Sequence, residues 1–475
     1  MKFNWQQEGW PKATVNRAAL RDELKAFGVA FRALKKALGK PQELEIVARA
    51  LADEAVKTSA IEGLNVDESV VMSSICRALG VTYAPKGFTK DARAEGVAQM
   101  VLSIRETWDK PISTALLKRY HKALMAGDGK RISVGAFRSH VEPMRVIRRL
   151  ADGTVEVRYV APPSASVPNE MRTFTRMWKS RETNPTDVAL KAAMLHPHFE
   201  SIHPFEDGNG RVGRALVAKA LAEGLCLPVI LPVSATIMRH RVAYYDEINE
   251  ASRTLDWTNW AAFFIPVLTE MMTHFVAAMR FVAVKHDYLG RYERDFSARA
   301  RKVILRMFED GEEGVKSGLS AAKWMRMAKV SKPTATRDLA ELEAQGAIVS
   351  EGGGASLRYR LTCCALHEPI EPLNGGAKMM AFKQNKGEHG NRHEPLTTDE
   401  PLNEPLNDYV FRLVQTHPGT RLPYLKSVVG KSAATVKRAL AELIRAGRIE
   451  HRGSKKTGGY YSMGSDPIDE KLLIS

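Results

Sequence analysis

Residues 203–214 constrain this chain more than any other stretch, because they read His-Pro-Phe-Glu-Asp-Gly-Asn-Gly-Arg-Val-Gly-Arg between two helical patterns. Apolar residues recur at three- and four-residue spacing before the stretch, at Val188, Ala192, Leu195, Phe199 and Ile202, and after it, at Val212, Leu216 and Ala220. This spacing predicts a helix on each side. Gly208-Asn209-Gly210 therefore falls in a turn that leads into the second helix, for which Gly224 is the predicted stop.

The predicted turn is suited to binding an anion. Its glycines permit the positive-φ conformations that bring successive backbone N–H groups into one concavity, and the helix N-terminus adds about half a positive charge. Arg211 and Arg214 are three residues apart, close to one helical face, and can bind phosphate oxygens. Two arginines beside such a turn fit a triphosphate better than a monophosphate. Asp207, immediately before the turn, is a candidate ligand of Mg²⁺.

His203 opens the stretch, four residues before Asp207. Its imidazole titrates near neutrality, which makes it a candidate general base for a hydroxyl nucleophile. Phe205 is apolar between two polar positions, and we expect it to point into the core and fix the loop. A histidine before a proline and a Gly-Asn-Gly turn are each usually structural. Their combination within twelve residues indicates chemistry on a phosphate.

The stretch matches the Fic motif, HxFx(D/E)GNGRxxR, at every fixed position, and the wider resemblance to Fic proteins covers roughly residues 110–270. Residues 1–40 resemble the small N-terminal domain that precedes many bacterial Fic domains. The resemblance implies a protein adenylyltransferase, which moves AMP from ATP onto a Ser, Thr or Tyr hydroxyl of a target protein. Removal of AMP from the target and use of another nucleotide donor are the alternatives.

The same resemblance implies a role for each residue of the site. His203 would deprotonate the target hydroxyl, and Asp207 would hold Mg²⁺ between the α- and β-phosphates. The ATP-binding residues would be Gly208, Asn209 and Gly210 at the α-phosphate, Arg211 and Arg214 at the distal phosphates, and the adjoining Val212 and Gly213. Tyr244 would pack near the adenine. Ser252 falls at a nucleotide-binding position where relatives often carry Asn.

A β-hairpin is predicted over residues 145–160, because Asp152-Gly153 lies there between alternating apolar residues. A hairpin alone in a helical domain is not stable, so it must lie on the helices. By the resemblance, this hairpin is the flap that aligns the target segment as an added strand, with Arg158, Tyr159, Val160 and Ala161 as its site residues.

Residues 58–63 read Thr-Ser-Ala-Ile-Glu-Gly and end a helix predicted over about residues 42–63, with Gly63 as its C-cap. They resemble the (S/T)xxxE(G/N) inhibitory motif of Fic proteins. The resemblance implies that Glu62 pairs with Arg214 and so occupies the donor that the γ-phosphate needs. A solvated glutamate at a helix end is the alternative.

The last third of the chain contains a repeat, since Leu339-Ala340-Glu341-Leu342 matches Leu440-Ala441-Glu442-Leu443 at an offset of 440 − 339 = 101 residues. Each copy predicts three helices and a β-hairpin, an order that resembles the winged helix-turn-helix. The predicted recognition helices and wings carry Lys332, Arg337, Lys431, Lys437, Arg438, Arg358, Arg360, Arg452, Lys455 and Lys456. These residues suit contacts with DNA phosphates, and docking of a protein is the alternative.

The expected fold class is mainly α, with an N-terminal helical domain over residues 1–100 and a helical Fic domain with a hairpin flap over residues 101–290. Winged-helix (α+β) domains follow over residues 296–362 and 405–463, and a linker containing Pro and Gly separates them over residues 363–404.

Composition bears on partners and location. The net charge is +16, from 70 basic and 54 acidic residues, which favours a polyanionic partner such as DNA. The four cysteines form neither a disulfide framework nor a zinc pattern, and no uninterrupted apolar run of about 18 residues predicts a membrane span. We therefore expect a cytoplasmic homodimer that acts on a target protein. A DNA-binding transcriptional regulator that carries a Fic domain is the alternative.

Overall fold

The computed structural model describes residues 2–38, 44–82, 90–127, 132–149, 155–309, 318–363, 406–416, 420–422, 425, 433–452 and 459–463. The described residues are mainly helical, as the sequence predicts. The elements up to the active-site region are α1 (Arg21–Leu38), α2 (Leu44–Ile61), α3 (Glu68–Leu79), α4 (Ala92–Glu106), α5 (Thr114–Met125), β1 (Arg145–Arg149), β2 (Val155–Val160), α6 (Val167–Trp178), α7 (Pro185–Ile202) and α8 (Asn209–Leu225).

The later elements are α9 (Val233–Arg239), α10 (Arg241–Ala251), α11 (Thr258–Tyr292), α12 (Ala298–Glu309), α13 (Ala321–Ala328), α14 (Lys332–Ala344), β3 (Ile348–Glu351), β4 (Arg358–Leu361), α15 (Leu406–Thr416), α16 (Ala433–Arg445), β5 (Ile449–Arg452) and β6 (Gly459–Ser462). Four short 3-10 helices also occur in the described residues. The chain separates into two compact units, residues 1–388 and residues 389–475, and each is described by itself.

One large apolar core, from Leu20 to Phe275, joins α1–α11 within the first unit. Helix α7 packs along α8, and α2 contacts both α8 and α9. Helix α8 is buried over nearly its whole length, so the turn at its N-terminus is fixed by helices on several sides. This packing positions the residues 203–214 rigidly.

Gly224 is not the stop of α8 that the sequence predicts. The helix continues to Leu225, and Cys226 takes the left-handed capping conformation, with φ of 58°. A Cβ added to Gly224 would lie 2.6 Å from Cγ2 of Val188 on α7. Gly224 therefore serves the close approach of two helices, which spacing along the sequence does not show.

The predicted hairpin is present as β1 paired antiparallel with β2, and its register shifts between Val146 and Ile147. Asp152-Gly153, which the sequence analysis takes as its turn, lies outside the described residues. The foot of the hairpin is closed by the Ala161 N–H, which donates to the Met144 carbonyl at 2.9 Å. The N-terminal segment also braces this foot, because the Trp5 indole donates to the Val160 carbonyl at 2.7 Å.

Helix α11 is the one helix among the described residues that is long and apolar enough to cross a membrane by length and composition. Its buried residues include Trp260, Phe264 and Leu268, and it packs along α1 and α10. Packing against the core buries 44% of the apolar window of this helix. The same helix ends at a second core, to which it contributes Tyr288.

The repeat seen in the sequence extends to the secondary structure. The bounds of α14, β3 and β4 recur in α16, β5 and β6 at the same offset, 433 − 332 = 101. An isolated bridge joins Leu319 to Tyr359 in the first copy, and its counterpart joins Thr420 to Tyr460 in the second. Both copies thus place a helix against a two-stranded sheet, each with an apolar core of its own. The predicted linker, residues 363–404, lies outside the described residues except for Cys363.

Candidate active site

Residues 203–208 form a tight connection between α7 and α8. His203 ends α7 in the left-handed conformation, with φ of 49°, and its N–H donates to the Phe199 carbonyl at 3.0 Å. Gly208 has φ of 79°, and α8 begins at Asn209. A side chain at Gly208 would be strained in this conformation. The loop therefore presents the N-terminus of α8 beside His203, as an anion-binding turn requires.

The loop is fixed from inside by the Phe205 ring, which is fully buried. It stacks on the His121 ring, with centroids 4.0 Å apart. His121 in turn accepts from the Gly135 N–H at Nδ1, so its other nitrogen, Nε2, donates to the Asp207 carbonyl at 3.1 Å. Burial lowers the pKa of His121 to about 4, which keeps the ring neutral for this bridging role.

The Asn209 side chain braces the same loop. Its Oδ1 accepts from the Phe205 N–H at 2.9 Å, and its Nδ2 donates to the Phe205 carbonyl at 2.8 Å. Both ends of the amide are therefore used within the protein. The Asn209 backbone N–H is at the first position of α8.

His203 lies at the edge of this loop with its side chain 15% exposed. Burial lowers its pKa to about 4, and the Arg138 guanidinium acts in the same direction. Its ring also hydrogen-bonds the backbone of Glu200. At neutral pH the imidazole is therefore uncharged and able to accept a proton, which a general base needs.

Arg138 holds the backbone around His203. Its guanidinium donates to the carbonyls of His203 at 2.7 Å, of Pro162 at 2.6 Å and of Ile202 at 3.2 Å. The backbone N–H of Arg138 donates to the Pro204 carbonyl at 2.9 Å. Arg138 thereby ties the end of α7 to the segment that follows the hairpin. It belongs to no spaced motif, and sequence reasoning did not single it out.

The two arginines predicted to bind phosphates are both buried and have different partners. Arg211 lies 3.5 Å from Oδ1 of Asp207 and contacts Sδ of Met125. Val212 and Gly213, between the arginines, are buried within α8. Asp207 is one-third exposed, which leaves its carboxylate accessible from solvent.

Arg214 is turned toward α2. Its Nε donates to the Thr58 hydroxyl at 2.9 Å, and its Nη2 donates to the Thr58 carbonyl and to Oε1 of Glu62, both at 2.8 Å. Arg214 is 1% exposed, whereas the Glu62 side chain is 33% exposed. An added Cβ on Gly210 would lie within contact distance of both Glu62 and Arg214. The Glu62 carboxylate therefore occupies the space beside the anion-binding turn.

The end of α2 is also held by α10. The Arg241 guanidinium donates to the Ile61 carbonyl at 2.8 Å, and the Tyr245 hydroxyl donates to the same carbonyl at 3.1 Å. Neither residue was singled out from the sequence. Farther along α2, the buried Glu54 accepts from the backbone and the hydroxyl of Ser234 on α9. Several contacts thus set the position of Glu62.

The structure places the two remaining predicted nucleotide residues in the core. Tyr244 is 2% exposed, and its hydroxyl lies 2.7 Å from Nε2 of His196. Ser252 donates its hydroxyl to the Asn249 carbonyl, while its own carbonyl accepts from the Asn4 N–H. The Ser252 hydroxyl therefore binds the end of α10, and the Ser252 carbonyl binds the N-terminal segment. Among tyrosines of α10, Tyr245 is the more exposed.

Glu200 is a further acidic group beside the site that the sequence analysis did not single out. Its carboxylate lies 3.9 Å from Nδ1 of both His196 and His203. Burial raises its pKa to about 8, although Arg214 acts in the opposite direction. A charge-neutral Glu200 at pH 7 adds no second negative charge next to Glu62.

The predicted flap residues make three kinds of contact. Arg158 pairs with Glu156 at 2.9 Å on the hairpin itself. The Tyr159 side chain is buried, and its hydroxyl donates to the Ser201 carbonyl of α7 at 2.5 Å. Val160 and Ala161 are fixed through their backbones at the foot of the hairpin. Among the hairpin residues whose side chains the structure describes, the large apolar ones that are exposed are Val146, Ile147 and Val157.

Residues 111–221 match the profile of the Fic/DOC family, and residues 3–81 match that of a domain of unknown function, DUF4172. A probable protein adenylyltransferase of Aquifex aeolicus (strain VF5) is 38% identical over 94 residues, which cover 20% of this chain and 27% of that protein. The chain thus spans about a quarter of the length of this curated relative.

Solved structures were also matched. A Fic family protein from Desulfovibrio desulfuricans G20 aligns over 74% of this chain and 98% of its own, at 20% identity and a TM-score of 0.43. A Fic domain containing signaling protein from Bacteroides thetaiotaomicron VPI-5482 aligns over 54% of this chain and 97% of its own, at 16% identity and a TM-score of 0.40.

Proposed function

Because residues 111–221 of this chain form a Fic domain, we propose that the protein transfers AMP from ATP to a Ser, Thr or Tyr hydroxyl of a target protein. The name of the curated relative, a probable protein adenylyltransferase, supports this activity over the matched region. The observation that carries the proposal is the neutral imidazole of His203 next to the N-terminus of α8, with Asp207, Arg211 and Arg214 around the same turn.

In this reaction, the target oxygen attacks the α-phosphorus of ATP and passes its proton to His203. The new bond joins the target oxygen to phosphorus, the bond from the α-phosphorus to the bridging oxygen breaks, and pyrophosphate leaves. Positioning and charge stabilisation supply most of the catalysis in such in-line displacements. The backbone of Gly208, Asn209 and Gly210 would bind the α-phosphate, and the two arginines would bind the distal phosphates.

The chain's residues fit a magnesium ion that arrives with ATP. Mg²⁺ commonly keeps several waters and takes one or two carboxylates in addition to substrate phosphates. Asp207 offers one partly exposed carboxylate at the turn, and within the described residues no cluster of three or more His, Cys, Asp or Glu forms a metal site. Asp207 would hold the ion, which would neutralise charge on the phosphates.

We propose further that α2 keeps this enzyme inactive. Arg214 cannot offer the same Nη2 donor to a γ-phosphate while Glu62 accepts it, and the Glu62 carboxylate adds negative charge where phosphate must bind. ATP would then bind with its α-phosphate out of line. Displacement of Glu62 by a partner or by a change in oligomeric state would release Arg214.

The test incubates labelled ATP and Mg²⁺ with the wild type, Glu62→Gly, His203→Ala and the double variant, followed by mass spectrometry of modified residues. We expect Glu62→Gly to transfer AMP at least about tenfold faster than the wild type, because a hydrogen bond between charged groups is worth roughly 1.5–3 kcal/mol. His203→Ala should bind ATP without transferring AMP. Labelling of targets by His203→Ala, or equal rates for wild type and Glu62→Gly, would contradict the proposal.

The same assay distinguishes the alternatives. Loss of AMP from a pre-modified target would identify removal of AMP as the net reaction, and labelling by another nucleoside triphosphate in competition with ATP would identify another donor. Glu45→Gly is a suitable control, because Glu45 lies at the exposed start of the same helix. Like Glu62→Gly, this variant removes one carboxylate from α2, but it leaves the contact between Glu62 and Arg214 in place.

A second function, binding of DNA by the two C-terminal repeats, is favoured by one contact. Asp338, which interrupts the basic pattern of α14, is turned inward and pairs with Arg299 at 2.7 and 2.8 Å. Lys332 and Arg337 are left exposed on the same helix. A mobility-shift assay at rising salt tests this function, since phosphate contacts weaken steeply with salt. Lys431, Lys455 and Lys456 lie outside the described residues.

A further inference from the structure

A groove of about 810 Å³ lies at the foot of the hairpin, lined by residues that precede β1 and follow β2. One wall is formed by α5, at Thr114 and Lys118. A second wall is the segment of residues 136–141, which leads into β1, and a third is residues 163–172, which follow β2 and enter α6. We call it the foot groove.

The back of the foot groove is the catalytic loop. Arg138, which lines the groove, donates to the His203 carbonyl at 2.7 Å and to the Pro204 carbonyl through its backbone. The neighbouring Phe137 ring lies 5.6 Å from the Phe205 ring, between centroids. Two residues that line the groove therefore contact the loop that carries His203.

The lining has apolar surface and positive charge but no carboxylate. Phe137, Pro168 and Val141 supply apolar surface, and Val141 is 96% exposed. Lys118 and Arg172 supply the charge. Lys118 Nζ lies 4.5 Å above the Phe137 ring, and Arg172 reaches only the Asn169 amide oxygen, at 3.4 Å.

The positive charge of the groove is not neutralised by the protein. Neither Lys118 nor Arg172 has an ion pair with an acidic side chain in the part of the chain that the structure describes. By contrast, Arg119, next to Lys118 on α5, pairs with Glu106 at 2.8 Å. Cations beside an exposed apolar floor are complementary to a segment that carries both carboxylates and apolar side chains.

We propose that the foot groove binds an acidic, partly apolar segment of the target protein, adjoining the residue that receives AMP. This proposal rests on the proposed AMP transfer, because it assigns the ligand as part of the substrate. The hairpin would align the acceptor strand, and the groove would select targets by the charge of the chain that continues past it. Lys118 and Arg172 are the residues that determine this specificity.

The experiment measures binding of a short fluorescent peptide of alternating Glu and Leu by anisotropy, at low and at high salt. The matched peptides carry Gln or Lys in place of Glu. The protein variants are Lys118→Glu/Arg172→Glu and the control Arg176→Glu/Lys179→Glu, which changes charge equally at exposed residues outside the lining.

We expect the groove variant to bind the Glu peptide roughly tenfold or more weakly, since two attractive contacts become repulsive, and to gain affinity for the Lys peptide. The control should change affinity less than about twofold. The proposal would be overturned if the groove variant bound the Glu peptide as tightly as the wild type does, or if the wild type bound the Gln peptide as tightly as the Glu peptide. It would also be overturned if a DNA duplex displaced the Glu peptide from the wild type.

The failure of the proposed function has a different signature. If Glu62→Gly transfers no AMP to any protein while charge-dependent peptide binding is intact, AMP transfer is wrong and the groove remains a binding site for acidic segments. If Glu62→Gly transfers AMP but the groove variant binds and modifies an acidic acceptor peptide as well as the control does, the groove proposal alone is wrong.

Discussion

The Nη2 group of Arg214 donates to Oε1 of Glu62 at 2.8 Å and to the Thr58 carbonyl at the same distance, so one guanidinium joins α8 to the end of α2. Its Nε donates to the Thr58 hydroxyl as well. Arg214 is the residue that the proposed reaction needs for a distal phosphate. The position of α2 is therefore coupled to the nucleotide site through this side chain.

Thr58→Val should raise AMP transfer by weakening the hold of α2 on Arg214. The change removes one accepted hydrogen bond, worth about 1 kcal/mol, and so predicts an increase of roughly three- to tenfold, smaller than that of Glu62→Gly. The rate of AMP incorporation measures it. Ser59→Ala is the control, because the Ser59 hydroxyl bonds only to Ala55 of its own helix. Equal rates for both variants would contradict the prediction.

Tyr245→Phe should also raise AMP transfer, because the Tyr245 hydroxyl bonds the Ile61 carbonyl next to Glu62. The effect acts through the position of Glu62. In a Glu62→Gly background, the same substitution should therefore change the rate little, as contacting residues in one network are not additive. A double-mutant cycle on transfer rates measures this. Additive increases would show that Tyr245 acts by another route.

Asn209→Ala should destabilise the protein by about 1–3 kcal/mol, since it leaves the buried N–H and carbonyl of Phe205 without the partners described here. It should also lower AMP transfer, because the turn that presents the α8 N-terminus loses its brace. Urea denaturation measures the first effect. Asn259→Ala, at an exposed position of α11, is the control and should leave the free energy of unfolding nearly unchanged.

The rate constant kcat/KM should not decrease near pH 6.5 on acidification, as it would if the general base were a histidine with an ordinary pKa. Burial lowers the pKa of His203 to about 4, so the base stays deprotonated well below its usual value of 6.5. In the Glu62→Gly background, we expect no inflection attributable to His203 between about pH 5 and 7. The titration of the peptide and of ATP is measured separately as a control. An inflection near pH 6.5 that neither of them accounts for would contradict the buried environment of His203.

The free energy of unfolding should fall on acidification. Burial lowers the pKa values of His121, His196, His198 and His203 to about 4, 3, 3 and 4. Between about pH 4 and 6.5 the unfolded chain binds protons at these histidines that the folded chain does not, so stability decreases as pH falls through that window. Urea denaturation at several pH values between about 7 and 5 measures the slope.

Two buried carboxyls oppose this trend. Burial raises the pKa of Glu54 to about 7 and of Glu200 to about 8. In the folded chain these carboxyls stay protonated at pH values above 4.5, where those of the unfolded chain lose their protons. Their contribution to the free energy of unfolding is therefore present at low pH and is lost as pH rises toward 7 and 8. Glu54→Gln removes one opposing group, and its stability should therefore fall more steeply on acidification than that of the wild type. A shallower slope would contradict this assignment.

The sequence predicted the parts of the site that are close together along the chain. In residues 203–214, the spacing alone indicated a turn between two helices, and the structure has α7 ending at Ile202 and α8 beginning at Asn209. The resemblance also indicated that Glu62 would meet Arg214, a contact across 152 residues that the structure contains. The roles of these residues in AMP transfer stay predictions.

Residues that act through long-range contacts to the backbone were not predictable. Arg138, His121 and Tyr245 support the loop and α2 through backbone carbonyls, which leave no periodic or spaced signal in the sequence. The place of Tyr244 near the adenine, which the resemblance implies, stays a prediction. In the structure its hydroxyl lies 2.7 Å from Nε2 of His196 in the core, and the neighbouring Tyr245 is the more exposed tyrosine.

The sequence by itself determined the local elements of this protein: mainly helical architecture, a hairpin over residues 145–160, a repeated C-terminal module and a glycine-containing turn at a helix N-terminus. These follow from spacing, glycines and side-chain chemistry within a few residues. Tertiary structure decided what surrounds the turn, because burial and partners depend on which helices pack together. It set His203 in a desolvated position, aimed Arg214 at α2, and brought Lys118 and Arg172 to one groove beside the catalytic loop.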